Sequence, residues 1–366
     1  MSKRTERQSN IELLRMIAAC GVIILHYNNA NIGGGFKAVA QGSLNQGIMM
    51  LIEVLFIGAV NLFVLISGYF MRDSMKRDFL KPIELLAQWV LFGGISVLVK
   101  ELPSDQPLTF VQFMTHFTAT YWFVFVYIAL YLISPYLNLI WSKLTEKGKN
   151  TLLAVWFCVF SAEPFLIEVI QYYTEEAPLY GTSTVGILGS QYGYTIVIFV
   201  MMYLLGMKLR DKCDAGWKFG AGKSAALLAI NTLLLFFWTY LEHFLTEKEL
   251  NLTTAWNYDN PLVISEAVFA FLLFRNLNIR HSKVINGLAA ASFPSYLIHV
   301  NFLEYIGIEK AVTWNPALLV LHMFGTTIAI YLVSYAVYLL YQLLIAPIFK
   351  AIGKKWTKHR GFTVGV

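Results

Sequence analysis

Apolar residues run along this chain in long stretches, and the polar residues gather between them rather than alternating with them. Such runs read as buried or lipid-facing helices, since a half-buried strand shows period two and a surface helix shows one apolar stripe. A hydrocarbon core about 30 Å thick needs roughly 20 mostly apolar residues per helix. Ten runs meet that need: residues 11–28, 47–70, 83–100, 121–140, 151–170, 193–209, 224–243, 261–280, 287–306 and 316–345. The last is long enough to tilt, or to continue along the membrane surface. The loops are too short for an appended soluble domain. The pattern predicts an all-α, polytopic integral membrane protein of about ten transmembrane helices, one domain over residues 1–366.

Basic residues then set the orientation. With the N-terminus in the cytosol, successive inner segments hold 3, 4, 3, 5, 3 and 5 Lys or Arg, the outer segments hold only Lys37, Lys100, Lys248 and Lys310, and Arg15 falls inside a span. That bias obeys the positive-inside rule at every loop and places both termini in the cytosol. The first run follows Lys3, Arg4 and Arg7 but contains Glu12 and Arg15 and ends in His26 and Tyr27. It lacks a small-residue cleavage site and reads as a retained first span.

Composition sharpens the class. The 366 residues are 57% hydrophobic and 14% charged, with a net charge of +6. Soluble domains carry about 25% charged residues, so a soluble enzyme, a disordered chain and a disulfide scaffold are excluded. The positive charge serves topology, and no nucleic-acid partner is needed to explain it. Cys20, Cys158 and Cys213 form no C-x-x-C pair, which implies neither a disulfide framework nor a metal site. Gly222, Lys223 and Ser224 imitate the end of a phosphate-binding loop, but Trp217 stands where its first glycine belongs.

Ionisable residues inside a bilayer are costly and mark function by default. Arg15 and His26 share the first run. Eleven helical steps make about 1100°, about 20° past three turns, with a rise of about 16.5 Å. Both side chains therefore lie on one face, the guanidinium near the cytosol and the imidazole past the midplane. Glu53, Glu163, Glu168, Glu266, His299 and His322 fall in the outer halves of their spans. Glu168 and His322 are close enough to span ends to be simply solvated; Glu53, Glu163, Glu266 and His299 suggest a polar chamber open to the outside. Lys76, Arg77 and Lys81 crowd the inner mouth, as a topology signal, a lipid contact or partners for the phosphates of an anionic cofactor. Tyr172, Tyr173, Tyr180, Tyr192, Trp256, Tyr258 and Trp314 enrich the outer loops, as interfacial belt residues or as flat faces for sugar rings.

These residues resemble the membrane acyltransferase-3 family. The resemblance rests on Arg15 with His26, on Phe63 to Phe70 closing the second span with Ser67 and Gly68, on the fourth span with Ser134 and Pro135, and on the late stretch Ser292 to His299. It covers essentially the whole chain in order. It implies a bacterial inner-membrane enzyme that carries an acyl group, usually acetyl, from acetyl-CoA in the cytosol to a hydroxyl of a cell-envelope glycan or its lipid-linked precursor. No metal is implied. Carried onto this chain, His26 matches the family's essential histidine and Arg15 its partner. Arg15, Ser67, Lys76, Arg77 and Lys81 are assigned to the donor, and Glu53, Glu163, Glu266, Ser295 and His299 to the acceptor. The chain departs from the family at Lys81, followed directly by Pro82, and at Pro294, where relatives often carry glycine.

The expected mechanism threads the donor along the Arg15 to His26 face. His26 then serves as general base on the acceptor hydroxyl, or as nucleophile through an acyl-histidine; Glu53, Glu163 or Glu266 orients the imidazole or binds the sugar. Two rivals stand beside it: a secondary transporter, which also keeps buried acids near the midplane, and a non-catalytic membrane scaffold.

Overall fold

The computed structural model describes residues 7–101, 109–111, 114, 121–174, 183–185, 191–303, 305–355 and 361–364. Tyr180 of the aromatic loops, and Lys3, Arg4, Lys358 and Arg360 of the basic termini, lie outside the described residues. The described chain is helical, apart from a single two-stranded sheet.

The first run forms α1, Ser9–Asn28. The second is broken in two, α2 (Leu44–Phe56) and α3 (Ala59–Met71), at Ile57 and Gly58. Ser43 starts α2 by accepting from the Gln46 backbone N–H, which satisfies one of the orphan donors of a first turn. Strand β1 (Lys76–Asp78) leads into α4, Leu80–Glu101. Helix α5, Trp122–Lys143, is followed by α6, Glu146–Phe157, capped by Thr145. A π-helical segment, Cys158–Ala162, joins α6 to α7, Glu163–Thr174. Pro164 explains the bulge, since its nitrogen has no hydrogen to continue the α-helical ladder.

Helix α8, Ile196–Asp214, is the pillar of the bundle: Phe199, Met202, Tyr203 and Met207 are wholly buried. It crosses α3 at backbone contact. A Cβ on Gly68 would stand 2.0 Å from the Tyr203 carbonyl oxygen, and one on Gly206 would stand 2.1 Å from that of Leu65. Small residues permit such approach between membrane helices, which gives Gly68, inside α3, a packing role. Helices α9 (Ala221–Thr246), α10 (Pro261–Arg275), α11 (Ser292–Ile298) and α12 (Pro316–Leu344) follow. In α10 and α12 an asparagine cap precedes a first-turn proline, Asn260–Pro261 and Asn315–Pro316, the usual N-terminal arrangement. Outward faces of α9 and α12 expose Leu233, Phe237, Leu241, Leu321, Ile328 and Leu332; apolar residues turned outward suit a lipid surround. Helix α13, Ala346–Lys355, leads toward β2 (Gly361–Thr363), which pairs antiparallel with β1 so that Arg77 faces Phe362.

Among the described residues, six helices are long and apolar enough to cross a membrane: α1, α2 with α3, α5, α6 with α7, α9 and α12. Run 83–100 lies within α4, and the remaining three predicted runs are also helical but more charged, shorter or interrupted. Helix α8 ends in Lys208, Arg210, Asp211 and Lys212, and α10 has 15 residues. The run 287–306 divides into short helices around α11, with Pro294 in the first turn, where a proline is tolerated.

Candidate functional site

Helix α1 delivers His26 in its last turn, and α11 delivers His299 at its C-terminal cap. The two imidazoles lie edge to edge, with ring centroids 4.7 Å apart and planes within 7° of each other, and His26 Nδ1 is hydrogen-bonded to His299 Nε2. His299 Nδ1 lies 2.9 Å from the Ser295 carbonyl oxygen. A carbonyl only accepts, so that nitrogen carries the proton and His299 Nε2 is left as acceptor. His26 must then donate from Nδ1, and its Nε2 keeps a lone pair. The relay fixes the tautomer of His26 from the Ser295 backbone outward.

His26 faces a cavity of about 560 Å³, which α1 lines through Val22, Leu25, His26 and Asn29. Glu53 of α2 lines it too, 5% exposed, with Oε2 accepting from Asn28 Nδ2 at 2.9 Å. One wall is aromatic. Trp122 and Tyr194 lie 4.7 Å apart between centroids, as do Tyr194 and Tyr258. Burial pushes the Tyr258 phenol well above its ordinary pKa, which keeps it a neutral hydroxyl. At the rim, Gln191 and Tyr192 adopt left-handed backbone conformations, φ 51° and 59°. Such residues cost of order 1–3 kcal/mol each and persist only when their surroundings enforce them.

Here the enforcing group is Glu168, 7% exposed, which accepts from Tyr192 N at 3.1 Å and Asn257 Nδ2 at 2.6 Å. The expectation that Glu168 is simply solvated is therefore corrected: it is a buried strut under the rim. His322 is half-exposed, with its Nδ1 2.9 Å from the Tyr27 hydroxyl and its ring edge-on to Trp314. The partners of Glu168 lie in loops far from it in sequence, so nearness to a span end misled.

The other predicted site residues separate. Glu266 is held between α10 and α9 by Asn231 Nδ2 and by Thr232 Oγ1 at 2.5 Å. Glu163 accepts from Thr184 Oγ1 at 2.8 Å. Neither lines the His26 cavity, and among the described residues the side chain hydrogen-bonded to His26 is His299. Ser295 is buried, its carbonyl anchoring His299 and its hydroxyl donating to Ser292 O at 2.9 Å. Ser67 donates to Phe63 O at 2.9 Å and meets the Tyr127 hydroxyl at 3.3 Å.

Arg15 bonds Glu12 at 3.1 Å, lies beside Phe70, and does not line the cavity. Between it and His26, α1 is packed by buried Ala18 and Ala19. Lys76 and Lys81 are exposed, the latter 3.9 Å from Glu84. Arg77 is instead drawn into the protein, 2% exposed. Pro135 leaves the Tyr131 carbonyl without its helical donor; Arg77 Nε supplies one at 3.1 Å and also donates to Ser134 Oγ at 2.8 Å. Its Nη1 donates to Ser74 O at 2.8 Å and its Nη2 to Ser134 Oγ at 2.6 Å. All three nitrogens thus serve as a clasp between β1 and the proline turn of α5 rather than opening toward a phosphate.

An unforeseen ion network closes the same end. Asp211 of α8 receives Arg72 at 2.6 Å, Lys149 at 2.7 Å and the Trp141 indole at 2.8 Å, and Lys208 reaches Glu146 at 2.8 Å. A half-buried lattice of this kind ties helix ends together more firmly than single surface pairs. Among the described residues, no cluster of His, Cys, Asp and Glu is arranged to hold a metal.

Comparison with protein families matches residues 8–339 to the family model described as an acyltransferase domain, of the acyltransferase-3 group. Comparison with curated proteins and with solved structures found no match. With a family match over nearly the whole chain, the protein belongs to the acyltransferase-3 family and is a multi-pass membrane acyltransferase.

Proposed function

We propose that the protein is an O-acyltransferase, most simply an O-acetyltransferase, that moves an acyl group from acetyl-CoA to a hydroxyl of a cell-envelope glycan or its lipid-linked precursor. The observation that carries the reading is the Ser295–His299–His26 relay, which leaves His26 Nε2 as a base facing a cavity. In this reading the basic end faces the cytosol of a bacterium, and exposed Lys76 and Lys81, with Arg15, meet the donor phosphates. The acceptor enters from the aromatic end. Its hydroxyl proton passes to His26 Nε2 as the oxygen attacks the thioester carbonyl. The carbon–sulfur bond breaks, and the imidazolium returns the proton to the departing sulfur, so the enzyme ends as it began.

Purified protein in nanodiscs, given acetyl-CoA and a glycan acceptor, is expected to release free coenzyme A thiol, and His26→Ala is expected not to. Wild-type activity in that variant rejects the assignment. Sequential kinetics accord with direct transfer, whereas ping-pong kinetics replace it with an acyl-histidine at the same nitrogen. A transporter predicts no thiol release, and a scaffold predicts no phenotype at His26.

A further inference from the structure

The charges around the His26 cavity identify the kind of sugar it takes. Its described lining contains Glu53 and His26 but no Lys, Arg or Asp. The scarcity of cations extends beyond the lining: residues 150–207 contain no Lys or Arg at all. The basic residue of the neighbouring loop, Lys248, is turned away, its ammonium bonded to the Tyr172 carbonyl and 4.5 Å from the Tyr172 ring centre. Lys37 is exposed and not part of the lining. The His26 imidazole already donates its Nδ1 hydrogen to His299.

The remaining surface is suited to an uncharged ring. Trp122, Tyr194, Tyr258 and Trp256 line the cavity, and aromatic rings are the side chains against which the C–H face of a pyranose packs. Glu53 Oε1 has no hydrogen-bond partner among the described residues and is available to a hydroxyl or an amide N–H. The cavity's 560 Å³ lies within the range of about 300–1,000 Å³ that accommodates a compact ligand. An acidic sugar would bring a carboxylate into this partly desolvated space with no cation to meet it, and an unpaired buried charge is strongly disfavoured.

We propose that the acceptor subsite selects neutral or N-acetylated hexoses and rejects uronic acids, because its wall is aromatic and carries no cation. The inference deepens the transferase reading and rests on it for calling the cavity an acceptor site. The test is binding without any acyl donor, so that the two ideas fail separately. Protein in nanodiscs is titrated at pH 8 with methyl glucoside, methyl N-acetylglucosaminide and methyl glucuronide, following tryptophan fluorescence. The neutral glycosides are expected to bind at least tenfold more tightly than the glucuronide. Asn31→Arg, at an exposed position of the lining, is expected to bring the glucuronide within about threefold of the glucoside, since it supplies the missing cation. Equal binding of all three glycosides to the wild type, binding of none, or an unaltered preference in the arginine variant overturns the proposal. Charge-selective binding without acyl transfer sinks the transferase reading alone.

Discussion

The two ends of the bundle handle polar groups in opposite ways. At the basic end, cations are matched within the protein: Arg72 and Lys149 converge on Asp211, and Arg77 is wrapped by Ser74, Ser134 and the Tyr131 carbonyl. At the aromatic end, His26 and Glu53 each keep an atom open to a cavity. A crowd of charges in sequence thus marked where helices are fastened, and two isolated ionisable residues in apolar runs marked where chemistry is available. The number of charges at a site says less than whether the protein has already satisfied them.

The sharpest way to break this contrast is His26→Ala, expected to lower turnover by about 10³-fold, within the range for a lost general base, while the melting temperature holds. Next, His299→Ala is expected to cost about 100-fold in kcat with little change in KM for either substrate, because the imidazole of His26 loses its fixed tautomer. His299→Gln restores part of that loss if positioning is the role, since its amide oxygen still accepts from His26 Nδ1; equal loss in both variants argues against it. Third, Arg77→Ala is expected to destabilise by about 2 kcal/mol through loss of its buried bonds to Ser74, Ser134 and the Tyr131 carbonyl, read as a lower midpoint in thermal unfolding. Lys76→Ala is expected to raise the apparent KM for acetyl-CoA and leave that midpoint alone. If Arg77→Ala changes donor affinity with stability intact, the basic end is a ligand mouth after all. The smallest effect is expected at Glu168→Gln, an increase of about threefold in acceptor KM as the charge-assisted bonds beneath Tyr192 weaken.

Much of this was legible in the sequence, and the exceptions have physical causes. The apolar runs located the helices because burial and lipid contact both demand them, and His26 stood out because an imidazole in such a run is costly. The break at Ile57 and Gly58 was invisible, since hydropathy does not register where a helix bends. The partner of His26 lies 273 residues away, and no spacing rule reaches that far. Arg77 illustrates the same limit. Its fate is decided by a carbonyl released by Pro135 on α5, and one-dimensional charge counting sees only a cation near a mouth.

The glycine crossing of α3 and α8 bears on how a thioester could reach His26 at all. Where Gly68 meets the Tyr203 carbonyl and Gly206 meets that of Leu65, main chain rests on main chain, with no rotamer to swing aside. That junction leaves no side chain free to give way. In the proposed reaction, the opening that admits a donor falls instead on neighbours joined by side chains, among them the small alanines of α1 that separate the guanidinium of Arg15 from the imidazole of His26.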